Sequence, residues 1–260
     1  MQIHYLKIFE TNYIWLLQVD SSIIVIDPGS SQVVSDYITA KKLNLIAILL
    51  THAHLDHAGG VDELVNLYNI PVYGSPLIID NQCVATKIIA LKEYQNLELF
   101  PDIQIKPIYT PGHTFDSISY LVNANNREYL FCGDTLFAGG CGRVFTNDYN
   151  LMFASLNKIK ELNNNLEIYP AHEYTLSNLY FARFLEPDNQ DILARIRIEE
   201  DKGNSVGITL PTNLKIEKLT NPFLRVNELK QIAADLSGNT INIELEGFIG
   251  LRNLKDNFVG

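Results

Sequence analysis

The sequence predicts an α/β protein: a strand-rich body in which strands and helices alternate, followed by a smaller, mostly helical tail. Short apolar runs alternate with segments of helical period through the first part of the chain. Most of these runs stop in Gly, Pro or Asp turn chemistry. From about residue 173 the strand-like runs give way to apolar residues at helical intervals. No repeat or low-complexity linker separates the two parts, so they are expected to pack together as regions 1–172 and 173–260.

In chain order, residues 2–9, 13–19 and 22–26 are β-rich runs separated by polar turns, as in a meander. Asp27-Pro28-Gly29 stops the third run. Residues 31–42 read as a helix and 45–50 as a buried strand. Val61, Leu64, Val65 and Tyr68 recur at helical spacing. Strands are expected at 71–73, 104–109, 117–122, 129–132 and 166–169, with a helix at 149–162. In the tail, helices are expected at 175–185, ended by Pro187, and at 189–202, 226–236 and 250–258.

Composition excludes several functions. The longest uninterrupted apolar run, 45–50, is far shorter than the roughly 20 residues of a membrane helix. A net charge of −10 argues against indiscriminate binding to nucleic acid or anionic membrane, which need clustered Lys and Arg. Cys83, Cys132 and Cys141 are odd in number with no short repeated spacing, which suits free thiols better than disulfides. Cys83 and Cys132 read as small apolar filler. The N-terminal residues lack the layout of a secretory or transit signal. A cytoplasmic location is therefore expected, and a monomer.

Histidine placement carries the chemistry. Thr51-His52-Ala53-His54-Leu55-Asp56-His57 follows the 45–50 run and precedes Gly59-Gly60 and a helix. If the segment stays extended, His52 and His54 face one side, while Asp56 and His57 lie beyond the bend. Three further segments repeat the pattern of an apolar strand and then a metal-ligand type of residue in a Gly or Pro turn: Tyr109-Thr-Pro-Gly before His113, Phe131-Cys-Gly before Asp134, and Tyr169-Pro-Ala before His172. A lone His at a strand end is usually incidental; three such turns together with the cluster are not. Seven candidate ligands are too many for one tetrahedral ion and suit two ions sharing a carboxylate. His52, His54 and His113 would hold one, Asp56, His57 and His172 the other, with Asp134 bridging. Only His4 is left over among the six histidines, and it reads as structural. Zinc is the expected metal, with iron and manganese also suited to these ligands. A two-ion site lowers the pKa of a shared water from about 16 toward about 7. Asp27 is a candidate partner for a ligand histidine, its alternative being a plain Asp-Pro-Gly turn.

The Thr51–His57 segment resembles the Thr-His-x-His-x-Asp-His signature of the metallo-β-lactamase superfamily, and His113, Asp134 and His172 match its later ligands. The resemblance implies an αβ/βα sandwich with a binuclear site at the sheet edges. Within the superfamily the chain is similar to the glyoxalase II family, the hydroxyacylglutathione hydrolases. Pro111-Gly-His-Thr, Gly133-Asp-Thr-Leu-Phe, Gly140-Cys-Gly-Arg, His172-Glu-Tyr-Thr and, in the tail, Asn221-Pro-Phe-Leu-Arg and Leu251-Arg-x-x-Lys-Asp-x-Phe carry that likeness.

This resemblance implies a thioesterase for S-D-lactoylglutathione, with Asp56 and Asp134 in catalytic roles. It also implies that Arg143, Phe145, Tyr174, Arg252 and Lys255 contact the glutathione portion. Two of these depart from the family pattern. Arg143 stands for a commoner Lys, keeping the charge but not the geometry. Phe145 stands for a Tyr, forfeiting a hydroxyl hydrogen bond worth roughly 0.5–1.5 kcal/mol. By spacing alone Arg252 and Lys255 would read as a solvated helix face. Rival activities are persulfide dioxygenation at one iron, phosphodiester hydrolysis, and metal binding without turnover. The helical tail speaks against the first, and the acidic balance and tail against the second. The complete ligand set gives no support to the third.

Overall fold

The computed structural model describes residues 1–80, 84–238 and 240–258, so Cys83 lies outside the described residues. The predicted meander is present: β1 (Gln2–Ile8), β2 (Asn12–Val19) and β3 (Ser22–Ile26) pair antiparallel in order. β4 (Asn44–Leu49), β5 (Val72–Gly74) and β6 (Ile88–Ala90) then add in parallel to complete a six-stranded sheet. The second sheet comprises β7 (Gln104–Tyr109), β8 (Ile118–Ala124), β9 (Arg127–Gly133), β12 (Glu167–Pro170) and β13 (Thr212–Asn213), in the order β13-β12-β9-β8-β7. Between β9 and β12 lies a small hairpin, β10 (Leu136–Phe137) with β11 (Gly140–Cys141).

Side-chain alternation along the strands builds the layers. In β2, Trp15 and Leu17 face the other sheet and meet Tyr120, Val122, Phe131 and Tyr169. Ile14 and Leu16 face outward beneath α1 (Ser31–Lys41) and α3 (Val61–Tyr68), which contribute Val34, Ile38, Val61 and Leu64. A single turn, α2 (Leu55–Ala58), precedes α3. The outer face of the second sheet, including Ile108, Leu130 and Ile168, is covered by Met152, Leu156 and Ile159 of α4 (Tyr149–Lys160) and by the tail. The result is an αβ/βα sandwich with the tail's helices added against its second sheet.

The tail comprises α5 (Thr175–Leu185), α6 (Gln190–Ser205), α7 (Leu214–Thr220), α8 (Val226–Ser237) and α9 (Glu244–Asp256). Phe181, Phe223 and Phe248 bury against the second sheet's outer core. Glu173 ties tail to body, accepting from the Tyr13 hydroxyl at 2.8 Å and from the Thr209 amide at 3.0 Å.

One expected boundary needs correction, and several short elements are additional. The last helix begins at Glu244, not 250, because the Glu246 carboxylate caps the Asn242 and Ile243 amides. Gly247 weakens the helical signal but is needed for packing, since a Cβ there would lie 3.0 Å from Lys230 Cβ and Val226 Cγ1 on α8. Helix α7 and the short β6, β10, β11 and β13 were not expected, being too brief to show a period. Cys132 is buried in the core, as filler should be. No helix among the described residues is long and apolar enough to cross a membrane.

Candidate metal centre and substrate cavity

Four strand ends converge at one edge of the sandwich: β4 leads into His52–His57, β7 into His113, β9 into Asp134, and β12 into His172. Close backbone approach makes this possible. Gly133 has φ +50°, and a Cβ there would fall 2.4 Å from Thr51 Oγ1. The Thr51 carbonyl accepts from the Ile118 amide at 2.9 Å, pinning the histidine loop to β8. Asp116 adds a second pin, accepting from the Ala53 amide.

All seven predicted ligands come together. Ligand atoms of His52, His54 and His113 lie within 4.8 Å of one another, and so do those of Asp56, His57 and His172. His54 Nδ1 is 2.9 Å from His52 Nε2 and 3.1 Å from His113 Nε2. Such spacing is close to the roughly 3.3 Å edge of a tetrahedron with 2.0–2.1 Å metal–nitrogen bonds. Asp134 lies between the two groups: Oδ2 is 3.4 Å from His113 Nε2, while Oδ1 is 3.5 Å from His57 Nε2 and 3.3 Å from His172 Nε2.

Hydrogen bonds aim the rings. His57 Nδ1 faces Asp27 Oδ2 at 3.0 Å, His113 Nδ1 the Arg143 carbonyl at 2.9 Å, His52 Nδ1 the Thr51 hydroxyl at 3.0 Å, and His172 Nδ1 the Thr11 hydroxyl at 3.1 Å. In each, one nitrogen is engaged outward and the other turned into the cluster. Inside, His57 Nε2 and Asp134 Oδ1 are buried with no hydrogen-bond partner. Buried polar atoms are rarely left so, and inward imidazole nitrogens around a carboxylate are a donor set for divalent cations. The residues therefore fit metal.

Electrostatics divide the rings: although burial opposes it, Asp134 and Asp27 hold the His57 pKa well above its ordinary value. Burial, then the neighbouring His57, keeps the His52 pKa well below its ordinary value, and burial likewise lowers His113, favouring the neutral rings that bind metal. Burial works against ionised Asp134, yet the His57 and His172 beside it hold its carboxyl well below the usual range. Asp27 is buried, and its carboxylate also accepts from the Thr51 amide at 2.8 Å and the Thr51 hydroxyl at 2.7 Å. His4 stands apart on β1, near Tyr37.

The cluster opens into a cavity of about 590 Å³ whose wall includes His113 and Asp134. All five residues expected to contact substrate line it: Arg143, Phe145, Tyr174, Arg252 and Lys255. Tyr174 stacks on His172 at 4.9 Å with the rings 3° from parallel. Phe145 sets its edge against His54 and His113. Arg143 is exposed, whereas Arg252 is buried and donates to the Cys141 carbonyl and to Asp256. Arg252 is thus no solvated helix face. Lys255 is partly buried, and its pKa is lowered to about 8, by burial first and the Arg252 charge second. Cys141 also lines the cavity, but burial pushes its thiol up to about 11, so it is no nucleophile at neutral pH.

Sequence reasoning missed several neighbours. Asn12 donates to Asp56 Oδ2 at 2.8 Å, and Thr11 orients His172; they sit where an ordinary-looking turn enters β2, Thr11 just before the strand and Asn12 its first residue. Phe137 and Asn178 line the cavity, as does Asp256 between the cations. For Asn178 the Asn-Leu-x-Phe-Ala-Arg motif was the available signal.

Comparison with known proteins places this arrangement. A model of the metallo-β-lactamase superfamily matches residues 9–172, and one of the hydroxyacylglutathione hydrolase C-terminus matches 173–258. A hydroxyacylglutathione hydrolase of Nitrosomonas europaea is 39% identical over 98% of this chain and 95% of its own. Another, from Actinobacillus pleuropneumoniae, is 41% identical over 95% of each. Among solved structures, ETHE1 from Myxococcus xanthus aligns with a TM-score of 0.65 at 22% identity, covering 99% of this chain and 91% of that one. TTHA1623 in a di-iron-bound form gives 0.62 at 23%, covering 86% and 100%. These two likenesses are of fold. With its sandwich, its His/Asp cluster suited to divalent metal, and near-full-length sequence relatives, the chain belongs to the hydroxyacylglutathione hydrolases of the metallo-β-lactamase superfamily.

Proposed function

We infer that the chain is a metal-dependent thioesterase that hydrolyses S-(2-hydroxyacyl)glutathione, with S-D-lactoylglutathione giving glutathione and D-lactate. This is the second step of methylglyoxal detoxification. The observation that carries it is the continuity of two features: His113 and Asp134 belong both to the metal-capable cluster and to the wall of a cavity bearing three cations. Residues 1–172 supply the cluster and 173–260 most of the cation-bearing wall, which supports treating them as catalytic and substrate domains. A cytoplasmic monomer remains the expected form.

His52, His54 and His113 would hold one ion, and Asp56, His57 and His172 the other, with Asp134 shared. Zinc is the expected metal, and these ligands suit iron and manganese as well. When bound, such ions supply Lewis acidity and a water acidified to near neutral pH. The protein's own groups do the rest. Arg143, Arg252 and Lys255 offset the carboxylates of a glutathione approaching a protein of net charge −10. Tyr174, Phe137 and Phe145 flank the passage to the cluster and orient the thioester. Asp56, 39% exposed in its side chain and fixed by Asn12, is placed to orient the attacking water. The departing thiolate has a free pKa of about 8.5, so a strong general acid is unnecessary.

The test is kcat/KM for S-D-lactoylglutathione against the lactoyl thioester of N-acetylcysteamine, which lacks the tripeptide, from pH 6 to 10. The glutathione thioester is expected to be strongly preferred. Because Lys255 has its pKa depressed, its charge is lost as pH rises through about 8. The preference should therefore shrink above that pH, and Lys255→Met should remove this limb. Equal kcat/KM for the two thioesters would contradict the proposal.

A further inference from the structure

The β10–β11 hairpin is held almost wholly by tail side chains. Between Leu136 and Cys141, four consecutive residues give a backbone group to the tail. The Phe137 and Gly140 carbonyls accept from Asn221 Nδ2 at 3.2 and 2.9 Å. The Ala138 carbonyl accepts from Asn178 Nδ2 at 3.1 Å, and the Gly139 amide donates to Glu217 Oε2 at 2.8 Å. Glu217 is fully buried. Its second oxygen accepts from Arg195, itself buried, and from the Thr212 hydroxyl at 2.6 Å, while Oε2 lies 2.9 Å from Asn221 Nδ2, whose two hydrogens are shared among it and the two carbonyls. One carboxylate thus joins α6, α7 and β13 to the hairpin.

The hairpin in turn sets the cavity. Phe137 places its ring edge against His172 and Tyr174. Beyond it, the Cys141 carbonyl receives Arg252, and the Arg143 carbonyl receives His113. A buried ion pair is weak evidence for stability, because apolar residues of similar volume often serve as well. What a carboxylate offers here is two oxygens that accept in opposite directions, fixing one hairpin geometry.

We propose that Glu217, oriented by Arg195 and Asn221, is a positioning residue that sets the glutathione-facing wall through the β10–β11 hairpin. It touches neither substrate nor cluster, and its effect on turnover rests on the function proposed above. In Glu217→Gln the amide can accept on only one side, so either the hairpin and Asn221 or Arg195 and Thr212 face an N–H instead.

The test uses the metal-loaded protein, with kcat and KM for S-D-lactoylglutathione, metal per chain, and hydrogen exchange at the Gly139 amide. Glu217→Gln is expected to raise KM about tenfold, the size of losing one charge-assisted hydrogen bond. It should leave kcat within about twofold, keep the metal content, and speed exchange at Gly139. Asn221→Ala leaves the Arg195–Glu217 pair intact, lies outside the cavity wall and removes the donor to the Phe137 and Gly140 carbonyls; it should show a rise in KM with the same pattern, so it carries the test if Glu217→Gln fails to fold. A KM unchanged in the folded variants, or a loss confined to kcat and metal content, would overturn the proposal. If the wild type does not turn over S-D-lactoylglutathione, the proposed function fails separately. Unchanged Gly139 exchange in Glu217→Gln would then still overturn the positioning role.

Discussion

Asp134→Ala is expected to lower kcat/KM on the order of 10³-fold and to reduce bound metal from two ions per chain to one or fewer. Asp134 is the only carboxylate among the described residues whose two oxygens face both histidine groups, Oδ2 toward His113 and Oδ1 toward His57 and His172. Without it, three inward imidazoles lose the anion between them, and a second cation close to the first would meet repulsion with no shared ligand. A metal's charge stabilisation in the transition state amounts to several kcal/mol, and about 4 kcal/mol corresponds to roughly 10³ in rate. Metal analysis beside steady-state kinetics checks this. Full activity with unchanged metal content would refute the shared-ligand role.

A second large effect is expected one step back from the ligands. Asp27→Ala removes the acceptor for three donors, the Thr51 amide, the Thr51 hydroxyl and His57 Nδ1. His57 then loses its fixed tautomer and aim, which should weaken metal binding about 10- to 100-fold. The buried Thr51 amide is left unpaired, costing a further ~1–3 kcal/mol of stability. Asp27 also sits at φ +54°, a conformation that Asn tolerates better than Ala. Asp27→Asn should accordingly keep more thermal stability while still weakening metal, since an amide cannot accept from all three donors. Competitive metal titration and thermal unfolding separate the two losses. Equal metal affinity in both variants and the wild type would show that Asp27 is only a turn residue.

The cluster could be read from the sequence because four apolar strands run into it, three of them through a Gly or Pro turn to His113, Asp134 and His172, and the fourth into the His52–His57 segment. Strand ends at one edge of a sandwich point into common space, so residues far apart in sequence were predictably neighbours. The layers were expected from the family resemblance and not from the strands themselves: Tyr13–Leu17 in β2 is an unbroken apolar run, and its division into Trp15 and Leu17 on one face and Ile14 and Leu16 on the other is seen only in the structure. What could not be read has no period or no distinctive chemistry. Glu217 and Arg195 look like routine helix charges, and nothing in their spacing says that both are buried together. The β10–β11 strands are two residues each, too short to alternate. Gly247 reads as a helix breaker until the proximity of α8 explains it. Asn12 looks like any turn residue, yet it fixes Asp56.

The most direct test of the central claim is the rate of S-D-lactoylglutathione hydrolysis by the metal-loaded protein, after chelation, and after zinc is returned. Rapid hydrolysis, near-complete loss without metal, and recovery as two ions per chain rebind are expected. Hydrolysis that survives complete metal removal, or none from the fully loaded protein, would contradict that claim.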